Sequence, residues 1–309
     1  MPSDKLLLEK TADLFDEYLH VGESTGILCL KYFCDDVRSA FGDEFLRAPS
    51  TEDCQRLLHL QETVHGFHSM LGSIDCMHWK WKNYPTAWRG QYLSGHKGGG
   101  PTLILEAVAD YRLWIWHAYF GVAGSNNDLN VLYSSPLFDD VLNGVAPAID
   151  FTVNGNAYHM GYYLADGIYP RWSTFVKSFS NPQEQRRILF AQRQESARKD
   201  VERAFGVLQG RFNIVKSPSR LWYVKNIADI MYTCIILHNM IIADEGPRAA
   251  NFYDEDEAGS STARSPPRRG VHTTVNERIE RRHTMRDTRA HTELQKDLIN
   301  HIWAKFDNE

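Results

Sequence analysis

Three carboxylates stand where a carboxylate is unusual. Asp75 ends the apolar run that starts at Met70, Asp166 ends the run that starts at Gly161, and Glu202 lies in the helix-forming stretch Arg198–Phe205. An acid that closes an apolar run is costly to bury unless it is paired or metal-bound. Two acids at strand ends and one on a helix can converge at one edge of a sheet, and their oxygens are the ligands that hard cations require. A pair of such ions, Mg2+ or Mn2+ in its place, drives phosphoryl transfer by in-line displacement. The expected chemistry is cleavage or joining of nucleic acid, with Asp75, Asp166 and Glu202 as both catalytic groups and metal ligands. For Asp75 or Asp166 taken singly, a turn or loop cap is an equally good reading.

The residues around these acids suit a phosphate backbone. Residues 186–220 hold nine Lys and Arg against three acids, whereas residues 1–60 hold twelve acids against six bases. A chain of net charge −5 thus concentrates positive charge near the candidate site. Arg198, Lys199 and Arg203 are expected to hold phosphates, although a solvated helix with i,i+4 pairs would show the same pattern. At about 100° per residue, Glu202 adjoins the stripe Ala197, Val201, Ala204, Phe205 and Leu208, while Asp200 points away from Glu202 by about 200°. Glu195 shares the face of Glu202 and is the spare acid. His78 is placed to touch substrate or support a carboxylate, or else simply packs. Trp79, Trp81, Tyr84, Trp88 and Tyr92 interleave with Lys80, Lys82 and Arg89, a mixture that suits splayed or single-stranded DNA and equally an ordinary loop core. Lys80 and Lys82 are the DNA contacts expected there. Gly98-Gly99-Gly100 lacks the Gly-Lys-Ser/Thr ending of a phosphate loop.

Periodicity predicts the elements that must carry these groups. Residues 4–46 read as two helices broken at His20–Glu23, the second capped by Ser24 or Thr25. Its bases, Lys31 and Arg38, sit beside Asp35 and Asp36, so packing or dimer contact is its expected role rather than DNA reading. Thr102–Ala109 and Leu113–Phe120 read as a hairpin turning at Asp110-Tyr111-Arg112, beside the strand that ends at Asp75. Ser125–Asp128 reads as a capping box opening a short helix. A strand toward Asp166, a long helix over about 183–208 and a core helix over 227–241 follow. Residues 246–275 read as a disordered linker, rich in Gly, Ser, Pro and charge. Residues 276–309 read as a basic amphipathic helix whose apolar end, Leu294, Leu298, Ile302, Trp303 and Phe306, can dock on the body or a partner. The expected divisions are an N-terminal helical region, 1–66, with a partial helix-turn-helix; a catalytic domain, 67–245; the linker; and the C-terminal helix.

Composition narrows the setting. No apolar run approaches 18 residues, so no membrane span is expected, and the N-terminus lacks the layout of a signal peptide. Five cysteines without a C-x-x-C pair argue against a disulfide framework and a zinc knuckle, and favour a reducing compartment.

Leu71–Trp79 (LGSIDCMHW), Leu113–Gly121 (LWIWHAYFG), Gly124–Leu132 (GSNNDLNVL), Tyr163–Pro170 (YLADGIYP), Arg198–Gln209 (RKDVERAFGVLQ) and Ile235–Met240 (IILHNM) together resemble the plant-type PIF/Harbinger transposase-derived nucleases of the DDE superfamily, over about residues 14–245. The resemblance implies an α/β, RNase H-like mixed sheet flanked by helices. Its metal triad falls on Asp75, Asp166 and Glu202, with Mg2+ as cofactor and DNA as substrate. It further implies a nuclear location, a Myb-like partner for DNA binding and import (without which the chain stays cytoplasmic), and a homodimer. The alternative is a domesticated, non-catalytic module holding DNA or protein on the same fold.

Overall fold

The computed structural model describes residues 22–93, 100–250, 267–270 and 273–306. The helix expected over residues 4–19 lies outside them, as do residues 251–266 and 271–272 of the expected linker.

A five-stranded sheet organises the chain. Its strands are β1 (Met70–Lys80), β2 (Thr102–Ala109), β3 (Ile115–Ala123), β6 (Tyr162–Ala165) and β7 (Phe175–Lys177), in spatial order β3-β2-β1-β6-β7. The pairs β1–β2 and β2–β3 are antiparallel; β1–β6 and β6–β7 are parallel. This is the mixed α/β sheet flanked by helices that the sequence led us to expect. A separate hairpin, β4 (Phe151–Val153) with β5 (Asn156–Tyr158), turns on Asn154-Gly155, both at positive φ, as a tight two-residue hairpin turn requires.

The β2–β3 turn is built around a buried acid. Asp110 accepts from the backbone N–H of Arg112 (2.8 Å) and Trp114 (3.2 Å) and from Trp116 Nε1 (3.1 Å), closing the hairpin that begins the sheet. One expectation changes here. Asp75 does not end a strand: β1 continues to Lys80 because Cys76 through Lys80 keep their partners, Glu106 through Thr102, on β2. On the other side β6 stops at Ala165, and its last partner on β1 is Ser73. Asp75 therefore sits in mid-strand but at a gap opened by a shorter neighbour.

Helices cover one face. They are α1 (Glu23–Phe45), α2 (Thr51–His65), α6 (Gln185–Arg211), α8 (Val224–Ala250) and α10 (Thr288–Phe306). The other face packs against α4 (Asp128–Ser134), α5 (Asp139–Leu142) and the end of α9 (Val275–Met285), through Ile74, Val108, Leu132, Phe138, Tyr169 and Met285. Two short helices, α3 (Arg89–Tyr92) and α7 (Asn213–Lys216), lie in connections.

Several local expectations are corrected. The first turn of α1 is capped by Gly22 with no side-chain bond, rather than by Ser24 or Thr25. The helix α2 lies within the region read as helical but carries its own signal, a reciprocal capping box between Ser50 and Asp53. Asn127 caps α4 by accepting from Asn130 N (2.9 Å). The basic C-terminal stretch divides into α9 and α10 at Arg286-Asp287, and its apolar side, Leu294, Leu298 and Ile302, docks on the body among Leu58, Phe67 and Met70. Helix α8 is long and apolar enough over Val224–Gly246 to cross a membrane by length and composition alone. Here it is a core helix, with Ile227, Met231 and Ile235 buried against the sheet cluster and His238 and Asn239 fully enclosed.

Candidate active site

Two hydrogen bonds position α6 over the gap beside β6. The buried Gln194 amide donates to the carbonyls of Ala165 (3.1 Å), at the end of β6, and Val176 (3.2 Å), in the middle of β7. Ser73 Oγ donates to Ala197 O (3.4 Å), tying β1 to the same helix. A helix pinned at residues 194 and 197 carries its next turns over Asp75.

There the side chains of Asp75 and Glu202 meet on one atom. Arg198 Nη1 lies 3.2 Å from Asp75 Oδ2 and 2.8 Å from Glu202 Oε1. Asp75 also accepts from Cys76 N (2.8 Å). Burial pushes the Asp75 carboxyl up to about 6; the Cys76 N–H and Arg198 oppose the shift, and the charges of Asp128 and Glu202 add to it. The site thus holds more negative charge than its surroundings comfortably solvate.

Asp166 follows β6 directly. Asp75 and Asp166 each stand two residues beyond the paired Ser73 and Leu164, so the register brings the turn that follows β6 level with Asp75 on β1. The Asp166 side chain is exposed and accepts from Ile168 N (3.0 Å), closing its own turn. Lys177 Nζ braces that loop, donating to Gly167 O (2.8 Å) and Tyr169 O (2.7 Å). Burial holds the Lys177 amine below its usual value, with Arg171 adding to the effect and Asp166 opposing it.

A fourth carboxylate escaped the sequence reading. Asp128, the first residue of α4, is hydrogen-bonded to the Cys76 thiol, and its pKa is raised by burial and by nearby Asp166 and Glu106, while His78 opposes the rise. The only local signal was the helix cap itself, which accounts for an acid at that position without invoking a site.

The other expected residues divide. Lys199 and Glu195 are exposed on α6. Arg203 pairs with the buried Asp200 one turn away on α6, so its guanidinium is engaged within the helix rather than standing free for phosphate, while His65 Nε2, 2.8 Å from Asp200, ties α6 to α2. His78 lies on the strand face opposite Asp75, with its Nδ1 2.8 Å from Thr102 Oγ1 and its charge felt by Asp128. Lys80 and Lys82 are exposed at the far end of β1.

The chemistry of this donor set fits a hard divalent cation: the oxygens of Asp75 and Glu202 already converge on one positive centre, with Asp128 close enough to raise the pKa of Asp75. The convergence is filled by a guanidinium, and among the described residues no three His, Cys, Asp or Glu side chains are grouped closely enough to hold a metal ion as they stand.

The site is thus a mixed sheet with Asp75 and Asp166 beside its parallel strands, under a long helix that carries Glu202. The family model for plant transposon proteins matches residues 43–249, from the end of α1 through α8, and the chain belongs to that family. No curated protein and no solved structure matches it.

Proposed function

We propose that the chain is a metal-dependent DNA nuclease and strand transferase of transposon origin, of the Harbinger type. The observation that carries this reading is the meeting of Asp75 and Glu202, from a central strand and a helix, at one cationic point level with the turn that carries Asp166. Asp75, Asp166 and Glu202 would hold two Mg2+ ions, or Mn2+ in their place. Bound there, divalent cations supply activation of a water or a DNA 3′-hydroxyl and stabilisation of the leaving oxygen. The protein's own part is to hold the acids in place through Gln194, Ser73 and Lys177, and to present Lys199, Lys80 and Lys82 to the phosphate backbone. Arg198 must yield its two carboxylates for a cation to enter. A Myb-like DNA-binding partner, a homodimer and a nuclear location complete the proposal.

The test is plasmid nicking by purified protein with and without Mg2+ or Mn2+, wild type beside Asp75→Ala and Glu202→Ala. Metal-dependent nicking that both substitutions abolish supports the assignment; an Asp75→Ala protein that still nicks sinks it. A second reading, a non-catalytic module holding DNA or protein, draws on one observation: Arg198 already satisfies Asp75 and Glu202 without a metal. Well-folded wild type that never nicks, even with a Myb-like partner added, favours that reading.

A further inference from the structure

We propose that the surface where the outer end of β1 meets the loop between α7 and α8 is a platform for unpaired DNA, with phosphates on Lys80, Lys82, Lys216 and Arg220 and bases on Trp222 and Tyr223. The proposal deepens the DNA reading above by naming a strand state and a second binding segment.

Charge is the first observation. Residues 76–105 and 203–228 contain no Asp or Glu, in a chain of net charge −5. The fold joins these two acid-free segments. Ser219 N donates to Lys80 O (2.8 Å), Lys82 N donates to Ser219 O (2.7 Å), and Asn83 Nδ2 donates to Arg220 O (2.6 Å). Trp79 Nε1 donates to Ser217 O (2.7 Å) and Trp81 Nε1 to Leu221 O (2.8 Å). Five bonds engage the loop's backbone and fix it to the strand that carries Asp75, so its side chains are presented from a rigid base.

Exposed aromatic surface is the second observation. Trp222 is 55% and Tyr223 66% exposed, and they lie between the exposed Lys216 and Lys225 along the chain. On the β1 side, Trp88 is exposed and stacks on Tyr92, which meets the edge of Trp81. Large rings among cations recognise unpaired nucleic acid, because every base has a face to stack and every nucleotide a phosphate to neutralise; paired bases in a duplex offer no free faces. Lys80 stands five residues beyond Asp75 on the extended strand, about 17 Å away at strand rise and on the opposite strand face, so the platform is a segment distinct from the acids.

The test is fluorescence anisotropy with a labelled oligothymidylate and a duplex of the same length, using full-length protein in EDTA so that no cleavage intervenes. We expect the single strand to bind more tightly than the duplex. Trp222→Ala with Tyr223→Ala should weaken single-strand binding about tenfold or more and leave duplex binding unchanged. Lys80→Gln with Lys82→Gln should weaken both and lower the salt slope by about 0.7 per charge removed. Both rings are exposed, so the double variant should melt with wild type; if it does not, the lysine variants and the single-strand preference of wild type decide the matter. Duplex bound as tightly as single strand, or ring removal without effect, overturns the proposal. Protein that binds in this way but never nicks contradicts the nuclease reading alone; protein that nicks while ring removal leaves binding unmoved contradicts the platform alone.

Discussion

Arg198 is the residue on which the candidate site turns. Its guanidinium serves two half-buried or exposed carboxylates at once, and its removal leaves Asp75 and Glu202 as like charges facing one gap. Arg198 and Asp75 are each only 19% exposed, whereas Glu202 is 45% exposed, so Arg198→Gln should cost about 1–3 kcal/mol. The effect on cation binding should be larger and opposite in sign: Mn2+ affinity, read by titration calorimetry, rises severalfold over wild type. Unchanged affinity would mean that the ion does not use the space between Asp75 and Glu202. Asp128 shows the converse. Its position at a helix start explains it as a cap, yet it stands beside Cys76 and is felt electrostatically at Asp75.

At the scale of elements, the site depends on how β1 passes its neighbours. Gly72, three residues before Asp75, has φ of 154°, and a Cβ there would lie 2.7 Å from Ala109 O on β2. The register of β1 against β6 shifts beside it, between Met70 and Gly72. Gly72→Ala should therefore cost about 1–3 kcal/mol, seen as a lowered urea midpoint, and should weaken nicking through the displaced Asp75. A variant as stable as wild type would show that the strand absorbs the methyl group without strain. By contrast Ser50→Ala removes only one half of the α2 capping box and should cost about 1 kcal/mol without touching the site.

The whole molecule carries a pH dependence set by enclosed histidines. Burial lowers the pKa of His238, His291 and His301. At His238 burial is aided by Arg211, whose Nη1 lies 3.3 Å from Nδ1, where a proton would face a guanidinium, and is opposed by the bond from Nε2–H to Leu113 O (2.9 Å). Below the ordinary histidine value of 6.5 the unfolded chain takes up protons that the folded chain refuses, so this contribution is full above that value and is lost as pH falls. Asp75, raised to about 6, acts in the opposite sense: its folded form keeps a proton longer, so stability falls as pH rises toward 6. The histidine share is therefore read as a difference. Between about pH 7.5 and about pH 5.5, the urea midpoint of wild type should fall more steeply than that of His238→Asn; equal slopes would show that His238 takes up its proton in the folded state.

What the chain determined by itself was local. The strand Thr102–Ala109 was legible residue for residue, the helix bearing Glu202 and the strand leading to Asp166 were placed by their apolar spacing, and the Asn154-Gly155 turn was present to be read though it was not singled out. These signals lie within one or two turns or one strand length, where periodicity and turn chemistry act. The tertiary structure alone decided that Asp75 stands in mid-strand, since only pairing with β2 carries β1 on to Lys80. It alone brought Arg198 to Asp75 across 123 residues, His65 to Asp200 across 135, and Asn83 to Arg220 across 137. Contacts at such separation follow from how faces pack and which buried polar groups must find partners, and the spacing of residues along a segment carries no record of either.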